Sequence, residues 1–216
     1  MGARERWEVG ELAAGLPSWR PGPTRDWLCR MLLASVDLPP LDRVAAFDND
    51  GTLACEKPAP SVHAYLTHLV SDAHPADGHD TERLLAAALA GLTPSQAAAK
   101  AEDFLARACH PRFHLSYPQI IYRPMRELVQ LLHRLDFTVY LVSDGSRDFL
   151  RVMASSAYGI RPEHVIGTEA VISWPTGRCM TWPMRGRRGS RRCVPDVYPG
   201  RHRHDTCGDK KRPIPL

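Results

Sequence analysis

The chain has 216 residues, 44% of them hydrophobic, and a formal net charge of +4; that length suits one α/β domain with a modest insertion. No apolar run approaches the ~18–20 residues of a membrane span, so a helical membrane protein is excluded. Met1–Glu8 lacks the apolar stretch of a secretory signal, so a cytoplasmic location with reduced cysteines is expected.

Residues 1–23 are rich in Trp, Pro and Gly and read as an irregular lead-in. Thr24 can cap a helix to about Ser35, with Trp27, Leu28, Met31 and Leu32 at helical spacing. Pro39-Pro40 ends any helix. Val44–Phe47 is a short continuous apolar run bounded by turn signals, the pattern of a fully buried parallel strand. Polar residues follow at once, which puts Asp48–Thr52 at the carboxyl end of a strand, where open α/β sheets bind ligands. Val62–Val70, Glu82–Leu92 and Ser95–Ala108 then predict three helices with no strand between them, a helical cap inserted over residues 58–115. Alternation resumes with a helix from Pro124 to about Leu135. A second buried strand follows at Thr138–Ser143, then a helix from Arg147 to Tyr158 stopped by Gly159, and a short strand at Val165-Ile166. Residues 1–57 and 116–172 therefore form the core, an α/β Rossmann-like parallel sheet.

After Ala170 the periodicity stops. Residues 171–216 hold 11 Lys and Arg against 3 Asp and Glu, whereas the preceding 170 hold 17 against 21. A mildly acidic body thus joins a basic tail, and residues 173–216 have too few aliphatic side chains to offset the entropy of ordering.

The chemistry concentrates in Phe47-Asp48-Asn49-Asp50-Gly51-Thr52-Leu53. Side chains alternate along a strand, so Asp48 and Asp50 can project the same way while Asn49 points elsewhere. Gly51 lets the backbone turn away from the strand end. An ionised carboxylate can attack phosphorus without a separate base. Two neighbouring carboxylates repel, which raises the pKa of one and suits it to acid work.

Val44–Leu53 resembles the first motif of the haloacid dehalogenase superfamily, in particular its phosphoserine-phosphatase-like members. The similarity runs from about Leu16-Pro17-Ser18-Trp19 to Thr168 and includes Tyr122-Arg123-Pro124-Met125 and Tyr140–Gly145. The resemblance implies Mg²⁺-dependent hydrolysis of a small phosphate ester. In that scheme Asp48 is the nucleophile, Asp50 is general acid and then base, and both belong to the metal site. Ser143 matches the second motif, and the turn Ser143-Asp144-Gly145 would bind phosphate beside a helix N-terminus. A plain helix-side cap is the other reading of Ser143. Relatives more often carry Gly at the position of Asp144.

Two further parts of the superfamily pattern are not recognisable, a lysine that steadies the phosphoryl group and an acidic motif that completes the metal site. Gly208-Asp209 resembles the latter superficially, but no buried strand precedes it, and Lys210 and Lys211 follow in the wrong order. Cys179, Cys193 and Cys207 are evenly spaced with His202 and His204 nearby, yet zinc modules rely on closer cysteine pairs. The run Arg185–Arg192 could touch nucleic-acid phosphates but lacks aromatic interleaving, so nucleic acid is not the expected partner. The tail has the composition of an out-of-frame reading of a GC-rich gene, which would leave a phosphatase truncated after about residue 170. The expected function is thus a phosphomonoester hydrolase impaired by missing C-terminal motifs. The alternatives are a catalytically dead relative or a nucleic-acid binder acting through the tail.

Overall fold

A computed structural model describes residues 7–70 and 81–169, together with the backbone of 172–173 and 178–179. The first helix, α1 (Val9–Ala14), is short and buries one side chain, Leu12. It falls inside the segment expected to be irregular, because a six-residue helix with one buried leucine has no period to detect. Helix α2 (Pro23–Ser35) starts one residue before the expected cap, with Pro23 in the first turn, where its fixed φ suits a helix start. Its buried stripe is Leu28, Cys29 and Leu32, while Trp27 and Met31 on the neighbouring face are exposed.

Among the described residues three parallel strands form the main sheet, in the order β1 (Val44–Phe47), β2 (Thr138–Ser146), β3 (Val165–Thr168). The β1–β2 register runs from Val44 opposite Thr138 to Phe47 opposite Leu141. The two apolar runs are thus direct neighbours. One expectation is corrected. Among the described residues β1 is an edge rather than a fully buried central strand, with Val44 and Ala46 exposed. A four-residue apolar run reads the same at an edge as at the centre.

Helices α6 (Arg123–Arg134) and α7 (Arg147–Tyr158) pack on β2, and α7 also on β3. Leu128, Val129, Leu131, Leu132 and Leu135 give α6 its buried face. Helix α7 stops at Gly159, whose φ of 70° is the left-handed cap the sequence predicts. Between β1 and β2 the described residues form the helices α3 (Ser61–Leu69), α4 (Thr81–Leu89) and α5 (Pro94–Arg107), with turns and isolated bridges around them. An aromatic cluster joins them to the core. Tyr65 stacks on Phe149 at 4.7 Å, Phe104 meets Tyr65 at 5.4 Å and Tyr117 at 5.2 Å, and Tyr65 donates a hydrogen bond to the Ala97 carbonyl. Such pairs add about 0.5–1.5 kcal/mol each beyond area burial, so the inserted helices are fastened to α7. A last antiparallel pair, β4 (Ile172–Ser173) with β5 (Arg178–Cys179), lies where the sequence predicts no strand. The breaker His74–Gly78 and the remainder of the basic tail lie outside the described residues.

Candidate active site

Regular pairing of β1 with β2 ends at Phe47 opposite Leu141. Asp48 therefore starts a turn at the carboxyl edge of the sheet, and Ser143 lies at the same edge, in the part of β2 where its pairing with β3 becomes irregular. The turn is built on Asn49, whose backbone carbonyl accepts the N–H groups of Leu53 at 2.8 Å, Ala54 at 3.0 Å and Thr52 at 3.2 Å. Gly51 closes it with φ of 75° and an N–H bonded to the Ala54 carbonyl at 2.9 Å. A Cβ at Gly51 would lie 3.0 Å from a carboxylate oxygen of Glu56, so Glu56 is folded back over the turn. The chain then runs beside residues 120–122, with Tyr122 N–H on the Leu53 carbonyl and Cys55 N–H on that of Ile120.

This scaffold separates the three side chains at its head. Asp48 is exposed, with the Thr52 hydroxyl 3.4 Å from one of its oxygens. Asn49 points inward and is fully buried. Asp50 is half-buried and accepts a hydrogen bond from the Asn49 amide at 2.9 Å. Burial pushes the Asp50 carboxyl above the ordinary carboxylate range. The Asn49 hydrogen bond opposes that rise, and the nearby charges of Asp48 and Glu56 add to it.

The second wall is the irregular last part of β2, residues 143–146, which loops over directly into α7. The hydroxyl oxygen of Ser143 accepts the Gly145 N–H at 3.1 Å, which folds the loop and leaves the hydroxyl proton available. Asp144 is exposed at the rim, and its carbonyl accepts the Thr168 hydroxyl at 2.7 Å. Gly145 is buried, and a Cβ there would come within 2.8 Å of Val62 on α3. The inserted helices thus press directly on this loop. At the start of α7, Arg147 pairs with Glu169 at 2.8 Å and with Asp148 at 3.3 Å.

The five residues expected from sequence lie at one sheet edge, Asp48 and Asp50 on the turn after β1 and Ser143, Asp144 and Gly145 on the irregular end of β2. As metal ligands, Asp48 and Asp50 offer hard oxygen donors of the kind Mg²⁺ takes. Among the described residues, however, no group of three or more His, Cys, Asp or Glu side chains is arranged to hold a metal, so the donor set fits in kind and falls short in number.

Three features of the site are not legible from sequence: the return of Glu56 over Gly51, the Arg147 pairs, and a hydrogen bond from Tyr158 to Asn49 at 3.2 Å. Tyr158 lies 109 residues from Asn49, and no local pattern links them.

The family model for haloacid dehalogenase-like hydrolases matches residues 45–205, beginning in β1 and extending into the basic segment. No curated protein matches. Among solved structures, a phosphoserine phosphohydrolase-like protein from Francisella tularensis is 18% identical, with a TM-score of 0.40. The similarity covers 63% of this chain and 62% of that one. Cytosolic 5'-nucleotidase IIIB, solved with cytidine, is 13% identical with a TM-score of 0.40 over 83% of this chain and 67% of its own. The chain thus spans about two thirds of the length of these two relatives.

Proposed function

The chain belongs to the haloacid dehalogenase-like hydrolases, and on that premise we propose that it hydrolyses a small phosphomonoester through an aspartyl-phosphate on Asp48. The observation that carries this reading is the contrast within one turn: an exposed Asp48 carboxylate beside a half-buried Asp50 whose proton is held more tightly than usual. An oxygen of Asp48 attacks phosphorus, and the bond from phosphorus to the ester oxygen breaks. Asp50 gives its proton to that departing oxygen. Water then attacks the phosphorus of the aspartyl-phosphate, Asp50 takes the water's proton, and the bond from phosphorus to Asp48 breaks to free inorganic phosphate. The cycle closes with Asp48 as a carboxylate and Asp50 reprotonated.

The Ser143 hydroxyl and the segment Asp144-Gly145 are the proposed phosphate seat, because Ser143 has a proton to donate and α7 begins at Arg147. Mg²⁺ is the proposed cofactor; the Asp48 carboxylate and the Asp50 backbone carbonyl would hold it, and it would supply positive charge beside the phosphoryl oxygens. Turnover is expected to be low. No third acidic ligand joins the pair among the described residues, and loss of one stabilising group around a transferring phosphoryl costs about 3–4 kcal/mol. The same shortfall favours a second reading, a relative that binds phosphate without turning it over.

A generic phosphate ester assayed with and without millimolar Mg²⁺, on wild type and Asp48→Asn, tests the reading. Mg²⁺-dependent turnover abolished by the substitution is expected. Phosphate binding without turnover supports the second reading, and unchanged turnover by Asp48→Asn removes Asp48 as nucleophile.

A further inference from the structure

Asn49 is the most deeply buried polar residue of the motif turn, and both ends of its carboxamide are engaged. Its oxygen accepts the Tyr158 hydroxyl at 3.2 Å, and its nitrogen donates to one Asp50 oxygen at 2.9 Å. We propose that Tyr158 is a positioning residue for Asp50, acting through the Asn49 carboxamide. The inference rests on the reading of Asp50 as acid and base given above.

Three observations support it. First, an amide can be turned over about its last bond, and the two orientations differ only in what their neighbours require. With the phenol donating, the amide oxygen is committed to Tyr158 and the NH₂ to Asp50; the reverse would set an amide oxygen against a carboxylate oxygen. Burial pushes the Tyr158 hydroxyl well above its ordinary range, with the Asp50 charge adding to this, so it stays a donor. Second, both ends of the chain of bonds are anchored. The Asn49 carbonyl carries three turn N–H groups, and Tyr158 closes α7 beside the left-handed Gly159. Third, Tyr158 and Asn49 are both buried, so water does not stand in for either. One Asp50 oxygen is therefore tied inward, which leaves the other to meet the departing ester oxygen.

The test compares phosphoenzyme formation in a single turnover for two esters, an alkyl phosphate whose leaving oxygen needs a proton and a nitrophenyl phosphate that needs little. Tyr158→Phe keeps the ring and removes only the hydroxyl. It is expected to slow the alkyl ester by roughly 10-fold or more, as misplaced catalytic groups do, leaving the nitrophenyl ester and both KM values nearly unchanged. Asn49→Leu should give the same selective loss, and the double variant no more than either alone. Equal slowing of both esters, or of neither, overturns the inference.

Asp50→Asn separates the two layers. If it does not discriminate between the esters, the acid role itself fails; if it does and Tyr158→Phe does not, only the role of Tyr158 fails. A readout independent of turnover is the NMR signal of the Asn49 side-chain NH₂, identified by its loss in Asn49→Leu. Two well-separated, slowly exchanging protons are expected in the wild type, collapsing towards free-amide behaviour in Tyr158→Phe. An unchanged signal in that variant overturns the proposal.

Discussion

Asp50 is held by opposing influences: burial and the charges of Asp48 and Glu56 favour its proton, while the Asn49 amide favours the carboxylate. If Asp50 is acid and base, Asp50→Asn should lower turnover by roughly 10²–10⁴-fold yet still allow some phosphoenzyme, which rapid-quench labelling would detect. Gly51 offers a second test at this scale. Its φ of 75° is left-handed and a Cβ would meet the Glu56 carboxylate, so Gly51→Ala should cost about 1–2 kcal/mol in urea unfolding. The turn itself was legible because glycine, the paired carboxylates and the preceding apolar run are contiguous. Strand alternation set Asn49 apart from the two aspartates; that it is buried came from the structure. Its partner Tyr158 was not legible, since only the packing of α7 brings it there.

Among the elements, the helices were read best. Helices α6 and α7 carry leucines or aromatics at helical spacing, and their ends carry Pro and Gly signals that act locally. The position of β1 at an edge was not readable, because strand neighbours are set by residues far away in sequence. One tether between distant elements yields a pH prediction. Ser18 in the lead-in donates its N–H at 2.8 Å and its hydroxyl at 2.5 Å to Glu127 on α6, and Arg123 lies 3.3 Å from the same carboxylate. Burial alone would raise Glu127, but these donors outweigh it and its carboxyl sits below the ordinary value. Between that lowered value and about 4.3, the ordinary Glu value, the unfolded chain binds more protons. Stability from this group is therefore complete above that range and lost as pH falls through it. Ser18→Ala should cost about 1.5–3 kcal/mol near neutral pH and flatten the acid limb of a melting-temperature profile. An unchanged limb would show that the tether contributes nothing.

For the whole molecule, the side of β1 that carries no strand among the described residues has consequences for solubility. Val44 is 53% exposed and Leu41 87%, near the exposed Trp27 and Met31 of α2 in sequence, and apolar strand edges template association. Val44→Lys should raise the concentration at which light scattering grows, and an unchanged threshold would place association elsewhere. The family match through residue 205 includes much of the segment in which composition showed no periodicity, so the sequence alone did not mark where family likeness ends. The central claim remains covalent chemistry at one carboxylate, and it can be read without knowing the natural substrate. The protein would be mixed with a ³²P-labelled aryl phosphate and Mg²⁺, quenched in acid and digested. Label on the peptide containing Asp48, released by hydroxylamine and absent from Asp48→Asn, is the predicted result; label on another residue, or none while phosphate is still released, would contradict it.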